Sequence, residues 1–345
     1  MPRSTTKIKI TSPELTAQIN PENIKLMNIF LRDKGARSSE KTIEGYFSDI
    51  LIFYTWNLIY NNNILFTDLK KLQISEFFIY TINDLHFGSA RYSRLKSCLS
   101  SLSNFIERIM DDQYPNFRNI ILKSVEPMPK VFVREKTIFS DEEINKLITD
   151  LEKDGETQIV CWLSLTIASG CRFSELLRFT SDIIDENNTA YEGIFLETTK
   201  AIKTKGRGKT GKLLKKYIIK DIFWDKYQKW LSIREKIMKE NGKDHNFIFI
   251  KNNGDPASES TARGWVNKVQ HYLDKPFYCH SLRHYSVSFL GRKKIQPELI
   301  KSLFGWEDVN LVFLYDDVEA KNKSWPELEN LKQHLDNTKL DSNSA

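Results

Sequence analysis

The sequence lacks the features that would place it in several large protein classes. It has four cysteines, Cys98, Cys161, Cys171 and Cys279, and no two of them form a C-x-x-C pair. That spacing argues against a zinc ribbon or finger and offers no disulfide framework, so a reduced, cytoplasmic setting is expected. No apolar run reaches the roughly 18 residues that a membrane-spanning helix needs, and no membrane partner is expected. The opening Met-Pro-Arg-Ser-Thr-Thr-Lys has no apolar core, so no secretory signal is read there. A nucleotide loop is missing as well. Gly208-Lys209-Thr210 matches the end of G-x-x-x-x-G-K-[ST], but the earlier position that requires Gly holds Lys203. No group of His, Cys and carboxylates has metal-ligand spacing, so neither a metal nor a nucleotide cofactor is expected.

What is present is length, apolar content and an unevenly placed charge. The 345 residues favour two domains over one, and 40% hydrophobic content with 21 Phe is ample for buried cores. The formal charge of +6 says little until its distribution is examined. From Lys200 to Lys220 there are nine Lys or Arg and no acid. Solvating a loop needs no such one-sided count, so contact with a polyanion is the better account. Lys203, Lys205, Arg207 and Lys209 are the candidate contacts within it.

Taken in order, the chain reads as a loose polar arm over residues 1–20, then a helical domain over 21–124. Stripes at Ile24, Met27, Phe30 and Leu31, then Tyr46, Ile50 and Phe53, mark the first helices. Leu72 to Leu85 and Ser89 to Met110 read as two more. The early turns of the last carry Arg91, Arg94 and Lys96, either a solvated face or a set of phosphate contacts. Two prolines at alternate positions make 125–136 an extended linker. Ser140-Asp-Glu-Glu143 is a capping-box start, and a second domain is expected over 137–321. It opens with a buried helix at Ile159 to Ile167, followed by a turn at Gly170 and by Arg172 and Glu175 at a helix head. Gly193 to Lys200 and Leu213 to Ile219 read as strands flanking the basic Gly-rich loop. Helices are expected at Phe223 to Met238 and Ser258 to Leu273, the latter presenting Arg263, Lys268 and His271. The fold class is thus mainly α, with a small β-hairpin or sheet in the second domain. Residues 322–345 read as a tail helix with leucines at 328, 331 and 335.

The stretch from His280 to Tyr315 concentrates the chemistry. His280-Ser-Leu-Arg283-His284 supplies a guanidinium and two imidazoles, and Phe304-Gly305-Trp306 followed by Tyr315 adds an indole and a phenol. Arg is suited to forked recognition of a phosphate, and a phenol becomes a nucleophile once a base helps remove its proton. Packing alone explains the apolar residues of the helix at Pro297–Phe304, which Gly305 is expected to cap. It does not explain His280, Arg283 and His284 just before it. The segment holding Val309, Leu311, Val312, Leu314 and Tyr315 reads as a further short element.

These boxes resemble those of the tyrosine recombinases, the phage-integrase-like family of site-specific recombinases, over roughly residues 22–330. Ser-Gly-Cys-Arg172-Phe-Ser-Glu175-Leu is similar to the family's first arginine box and His280-Ser-Leu-Arg283-His284 to its second. Phe304-Gly305-Trp306 is similar to the box that more often ends in His, and Tyr315 stands where the family nucleophile stands. Residues 21–124 resemble the family's core-binding domain. The resemblance implies that Tyr315 forms a 3′-phosphotyrosine with DNA. Arg172, Arg283, His280 and Trp306 then stabilise the transition state, His280 helping to take the phenol proton, while Glu175 and His284 brace the site. The family's catalytic lysine lies at the end of the first hairpin strand. Lys200 fits that place, with Lys209 as its rival. The implied partners are double-stranded DNA recombination sites and three further copies in a tetramer on synapsed DNA, with room for an accessory DNA-bending or directionality protein. The implied setting is cytoplasmic and nucleoid-associated, of prokaryotic or phage type. The role is mobilising or inverting a genetic element. Alternatives are a DNA-binding protein without catalysis, a type IB topoisomerase or telomere resolvase, and a metal-dependent nuclease.

Overall fold

The computed structural model describes residues 9–121, 125–129, 137–204, 211–306, 309 and 312. The chain forms two compact units, the first drawn from Met1–Arg134 and the second beginning at Glu135.

The first unit is helical: α1 (Pro13–Thr16), α2 (Pro21–Gly35), α3 (Glu40–Tyr60), α4 (Lys71–Asn83) and α5 (Ser89–Ile109). Each start has a local cause. Asn20 caps α2 by accepting from Glu22 N at 2.9 Å, with Pro21 at the first helical position, and Ser39 caps α3 through Thr42 N at 3.3 Å. In α3 every residue from Asp49 to Asn57 is buried. Phe53 lies at its centre, edge-on to Phe77 with ring centroids 4.8 Å apart and against Phe66 and Trp56. Removing such a ring costs about 3–5 kcal/mol. Asn62 and Asn63 end α3 with positive φ, a conformation Asn tolerates better than most residues. Buried Asn23 accepts from Phe66 N at 2.8 Å and donates to the Ile64 carbonyl at 2.9 Å, which fastens the loop after α3 to α2.

The polar arm is shorter than expected. Ser12 caps α1 through Leu15 N at 3.2 Å, Ile19 is buried, and Asn20 N donates to Asn63 Oδ1 at 2.9 Å. A polar composition hid one apolar anchor and one capping serine. Val125 is buried and carries the carbonyl that takes Lys96 Nζ; residues 130–136 of the expected linker and the expected tail helix at 322–345 lie outside the described residues.

The second unit holds α6 (Asp141–Lys153), α7 (Thr157–Ser169), α8 (Phe173–Leu176), five short strands, α9 (Lys220–Glu240), α10 (Glu259–Gln270), α11 (Ser281–Arg292) and α12 (Pro297–Phe304). The capping box at Ser140 and Glu143 forms, with Glu143 N on Ser140 Oγ at 3.2 Å and Ser140 N on Glu143 Oε2 at 2.8 Å. α7 is buried from Ile159 to Ser169, and α9 and α11 pack against it. It is the central post of the unit, and burial on every side calls for a largely apolar helix, with polar side chains such as Thr166 and Ser169 donating to its own carbonyls.

The strands differ in one respect from the pattern read in the sequence. β1 (Thr189–Ala190), β2 (Phe195–Glu197) and β5 (Tyr217–Ile219) make an antiparallel sheet, and β3 (Ile202–Thr204) pairs with β4 (Lys212–Leu214). The expected strand at Leu213–Ile219 is therefore broken into β4 and β5, while the one at Gly193–Lys200 is shortened to β2, with β3 beginning only after it. Glu197 pairs with Tyr217 and Ile202 with Leu214, so residues 198–201 face only residues 215 and 216. This is a bulge with two extra residues on one side, held by Thr198 N on the Lys216 carbonyl and Lys216 N on Thr198 Oγ1, both 2.9 Å. Lys200 lies in that bulge rather than at a strand's end.

Candidate active site

Two left-handed glycines bring the site's elements together. Gly170 ends α7 with φ +56, and a Cβ there would sit 2.5 Å from the Phe304 ring. Gly305 ends α12 with φ +65, and a Cβ there would sit 2.7 Å from Leu214 Cδ1. Only glycine permits both the dihedral and the close approach. The consequence is that the end of α7, the end of α12 and the segment running from β4 to β5 converge.

Arg172 follows directly as the N-cap residue of α8. Glu175, three residues on, accepts from Arg172 N through Oε2 and from Arg172 Nη1 through Oε1, both at 3.0 Å. One carboxylate thus caps the short helix and aims the guanidinium. Glu175 is 1% exposed, and a buried carboxylate needs compensation. Burial by itself raises its pKa, but the nearby Lys216 ammonium, the two Arg172 hydrogen bonds and the Arg172 charge hold it below the ordinary glutamate value. Lys216 is itself buried, with Nζ 3.7 Å from Glu175 Oε2 and 3.4 Å from the Phe304 carbonyl.

The second guanidinium comes from α11. His280 is the N-cap residue and exposed; Arg283 and His284 fall in the first turn. Arg283 is 3% exposed, donates from Nη1 to the Gly170 carbonyl at 2.7 Å, and lies over the Trp306 ring at 4.1 Å. The indole face offsets part of the cost of burying this cation. Trp306 packs on Phe304 with centroids 5.7 Å apart, so it follows the same ring that Gly170 admits. Arg172, Glu175, Arg283 and Trp306 are thereby joined through direct contacts and the Gly170 turn. His284 lies edge-on to Tyr278 at 6.4 Å.

Other sequence candidates are engaged elsewhere. Lys200 is exposed and pairs with Asp182 Oδ2 at 2.8 Å. Lys203 is exposed on β3, its carbonyl accepting from Arg178 at 2.6 Å. Lys205, Arg207, Lys209 and Tyr315 lie outside the described residues. In the first unit Arg94 grips buried Asp49 with two bonds of 2.8 and 2.7 Å, Arg91 stacks on Phe87 at 3.9 Å, and Lys96 donates to the Val125 carbonyl. Arg263 is exposed, 3.7 Å from Glu259; Lys268 pairs with Glu156, and His271 Nδ1 lies 2.7 Å from the Asn267 carbonyl. Among the described residues no helix is long and apolar enough to cross a membrane, and no group of three His, Cys, Asp or Glu is arranged to hold a metal ion.

Lys216 is the residue the sequence reading passed over, because it was counted among nine cations of a basic segment. Its signal was the period of the strand. Lys216 and Ile218 are two apart in the β5 segment and both are buried, so the lysine takes the inward place of an apolar residue.

The chain is similar to several known proteins. The model of the phage integrase family matches residues 138–322. The SPbeta prophage-derived recombinase-like protein YomM of Bacillus subtilis (strain 168) is 26% identical over 333 residues, covering 91% of this chain and 95% of that protein. A tyrosine recombinase of Thermosipho africanus (strain TCF52B) is 24% identical over 301 residues, covering 83% and 92%. Among solved structures, the Tn1549 transposon integrase (aa 82-397, Y379F) in complex with transposon right end DNA superposes with a TM-score of 0.62 at 15% identity, covering 88% of this chain and 99% of that one. At that identity the likeness is one of fold.

Proposed function

We infer the reaction from the family to which this chain belongs, the phage integrase family of tyrosine recombinases: the protein is a DNA strand transferase that carries out site-specific recombination. Topoisomerase, telomere resolvase and non-catalytic binding are not favoured by its relatives. In the proposed mechanism the Tyr315 phenolate attacks the scissile phosphorus. The bond to the 5′ oxygen breaks, a 3′-phosphotyrosine forms and a 5′-hydroxyl leaves. Attack by the 5′-hydroxyl of an exchanged strand reverses the chemistry and frees Tyr315. One phosphoester bond replaces another at each step, so no external energy source enters the balance.

The observation that carries this reading is the fixed pair of guanidiniums. Attack builds negative charge on the non-bridging oxygens, and cations already aimed at that place lower the barrier without reorganising during the reaction. Arg172 is aimed by Glu175, and Arg283 by the Gly170 carbonyl and the Trp306 ring. His280 helps take the phenol proton, and Trp306 adds an indole donor. A lysine of the bulge or hairpin, Lys200 or Lys209, protonates the leaving 5′ oxygen. Glu175 and His284 orient these groups.

The substrate in this reading is double-stranded DNA carrying recombination sites. Arg91, Arg94, Lys96 and Arg263 and the hairpin residues Lys203, Lys205, Arg207 and Lys209 supply phosphate contacts. Residues 21–124 act as the core-binding domain and 137–321 as the catalytic domain. Four protomers assemble on two synapsed sites, and the tail at 322–345 docks on a neighbour. Exchange mobilises or inverts a genetic element. The prophage origin of the Bacillus relative and the transposon end held by the Tn1549 integrase support that role.

A nicked duplex from DNA flanking the gene, incubated with the protein in a chelator, tests this. A covalent protein–DNA adduct is expected, and it is absent with Tyr315→Phe. An adduct that persists in that variant overturns the assignment of the nucleophile. Specific binding with no adduct from the unaltered protein overturns the catalytic reading.

A further inference from the structure

We propose that Lys216 is a positioning residue for strand transfer, a buried ammonium that locks the Arg172 side of the site to the Trp306 side. The inference rests on the recombinase reading above and adds a part to it. Lys216 Nζ is within 3.7 Å of Glu175 Oε2 and 3.4 Å of the Phe304 carbonyl. Glu175 holds Arg172 by both its backbone and its side chain. Phe304 lies two residues before Trp306, on whose ring Arg283 rests. The ammonium therefore links the supports of both guanidiniums.

Three further observations fit a locking role rather than incidental packing. The Lys216 main chain is pinned by reciprocal hydrogen bonds with Thr198, so its side chain leaves a fixed point. The tip comes so near Gly305 that a Cβ there would be 3.7 Å from Nζ. The side chain is buried, with 2% exposure, as is its partner Glu175 with 1%. A buried pair of this kind is weak as a source of stability compared with apolar residues of equal size, and specifying one arrangement is a recognised use of such pairs. Here it also sets charge. With Lys216 beside it, the Glu175 carboxylate is offset by a cation other than Arg172, so Arg172 is aimed without being neutralised alone.

The pair also connects the bulge to the catalytic arginines. Lys216 and Thr198 join the β2–β5 pairing to the β3–β4 pairing, and Lys200 lies in the bulge between them. Lys216 is thereby tied both to the support of Arg172 and to the bulge that holds Lys200.

The test measures single-turnover cleavage of a nicked duplex at saturating DNA, with DNA affinity measured separately. The variants are Lys216→Met, Lys216→Arg and the double Glu175→Gln with Lys216→Met. The double variant removes both buried charges and keeps the shapes, which guards against a protein that fails to fold. Displacing a catalytic group by 1 Å costs about 100-fold in rate. Lys216→Met and the double variant are expected to cleave about 100-fold more slowly with DNA affinity within about twofold, and Lys216→Arg to recover about tenfold of that loss. A second substrate carries a methylphosphonate at the scissile position, where one charged non-bridging oxygen is replaced by methyl. If Lys216 acts through the arginines that meet that charge, the gap between the unaltered protein and Lys216→Met narrows on this substrate. Equal cleavage by the unaltered protein and a folded double variant overturns the proposal, as does a gap unchanged by the methylphosphonate. Failure of the unaltered protein to form any adduct refutes instead the reaction on which it rests.

Discussion

Replacing Gly170 by Ala tests whether the convergence of α7 and α12 builds the site. The perturbation has two parts. At φ +56 an L-residue sits in the left-handed region, at a cost of about 1–2 kcal/mol. The new Cβ would also lie 2.5, 2.6 and 2.7 Å from three atoms of the Phe304 ring, about 1 Å inside ordinary contact. Phe304 is buried against Trp306 and the helix it ends, so the ring cannot swing into solvent. Overpacking of this kind costs about 1–3 kcal/mol. The sum is about 2–5 kcal/mol, read as a lower urea midpoint for the second unit. Gly155→Ala is the control. Its φ is +73 and nothing lies within 4 Å of its Cβ, so it bears the strain alone. The difference between the two variants isolates crowding by Phe304. Adding Phe304→Leu to Gly170→Ala should recover part of the loss, because the two changes share one space. Cleavage should suffer beyond the fraction unfolded, since Trp306 and Arg283 move with the ring. Equal destabilisation at Gly155 and Gly170 would refute the crowding argument. Full cleavage by a destabilised Gly170→Ala would refute the link from that contact to catalysis.

Other consequences are open to simpler measurement. The Asp49 side chain is 1% exposed and is paired by Arg94, itself half exposed, so Arg94→Ala should lower stability by about 2–3 kcal/mol, and adding Asp49→Asn should recover much of it; no recovery would mean the loss is packing rather than an unpaired charge. Glu175 is held below its ordinary pKa, so its contribution to stability is present above about pH 4.3 and is lost as pH falls through its lower folded value. The gap in urea midpoint between the unaltered protein and Glu175→Gln should accordingly shrink between pH 7 and pH 3, and a constant gap would contradict the assignment. If Lys200 protonates the leaving oxygen, Lys200→Ala should cleave about 100- to 10,000-fold more slowly on ordinary DNA and regain most of that rate on a duplex with sulfur in the 5′ bridging position, whose leaving group needs no proton. Rescue seen with Lys209→Ala instead would move the role into the hairpin loop. Deleting 322–345 should abolish tetramer assembly on two sites, measured by sedimentation, while cleavage of one site survives.

Much of the architecture follows from local chemistry. Capping residues at Asn20, Ser39 and Ser140, the apolar stripe around Phe53, the largely apolar run of α7 and the glycine after Phe304 each act within one or two helical turns. Their effect can be read without knowing what lies across the core. The same holds for the types and order of Arg172, Glu175, His280, Arg283 and Trp306, which stand in the sequence itself. The sequence even contained the cue to Lys216, a cation in the inward place of a strand, but it carried no information on what that cation meets. Glu175 lies 41 positions earlier and Phe304 88 positions later. Only packing brings them together, because it depends on the approach that Gly170 allows to a ring 134 positions away. Strand breaks at Thr198 and Lys216 were hidden for a related reason. A bulge is set by register between two segments, and the β-propensity of either segment alone is blind to it. Residue types thus determined the chemistry and the helices, whereas long-range register and close glycine contacts decided which charges share a buried site, since electrostatic partnership depends on distance in space and not on spacing along the chain.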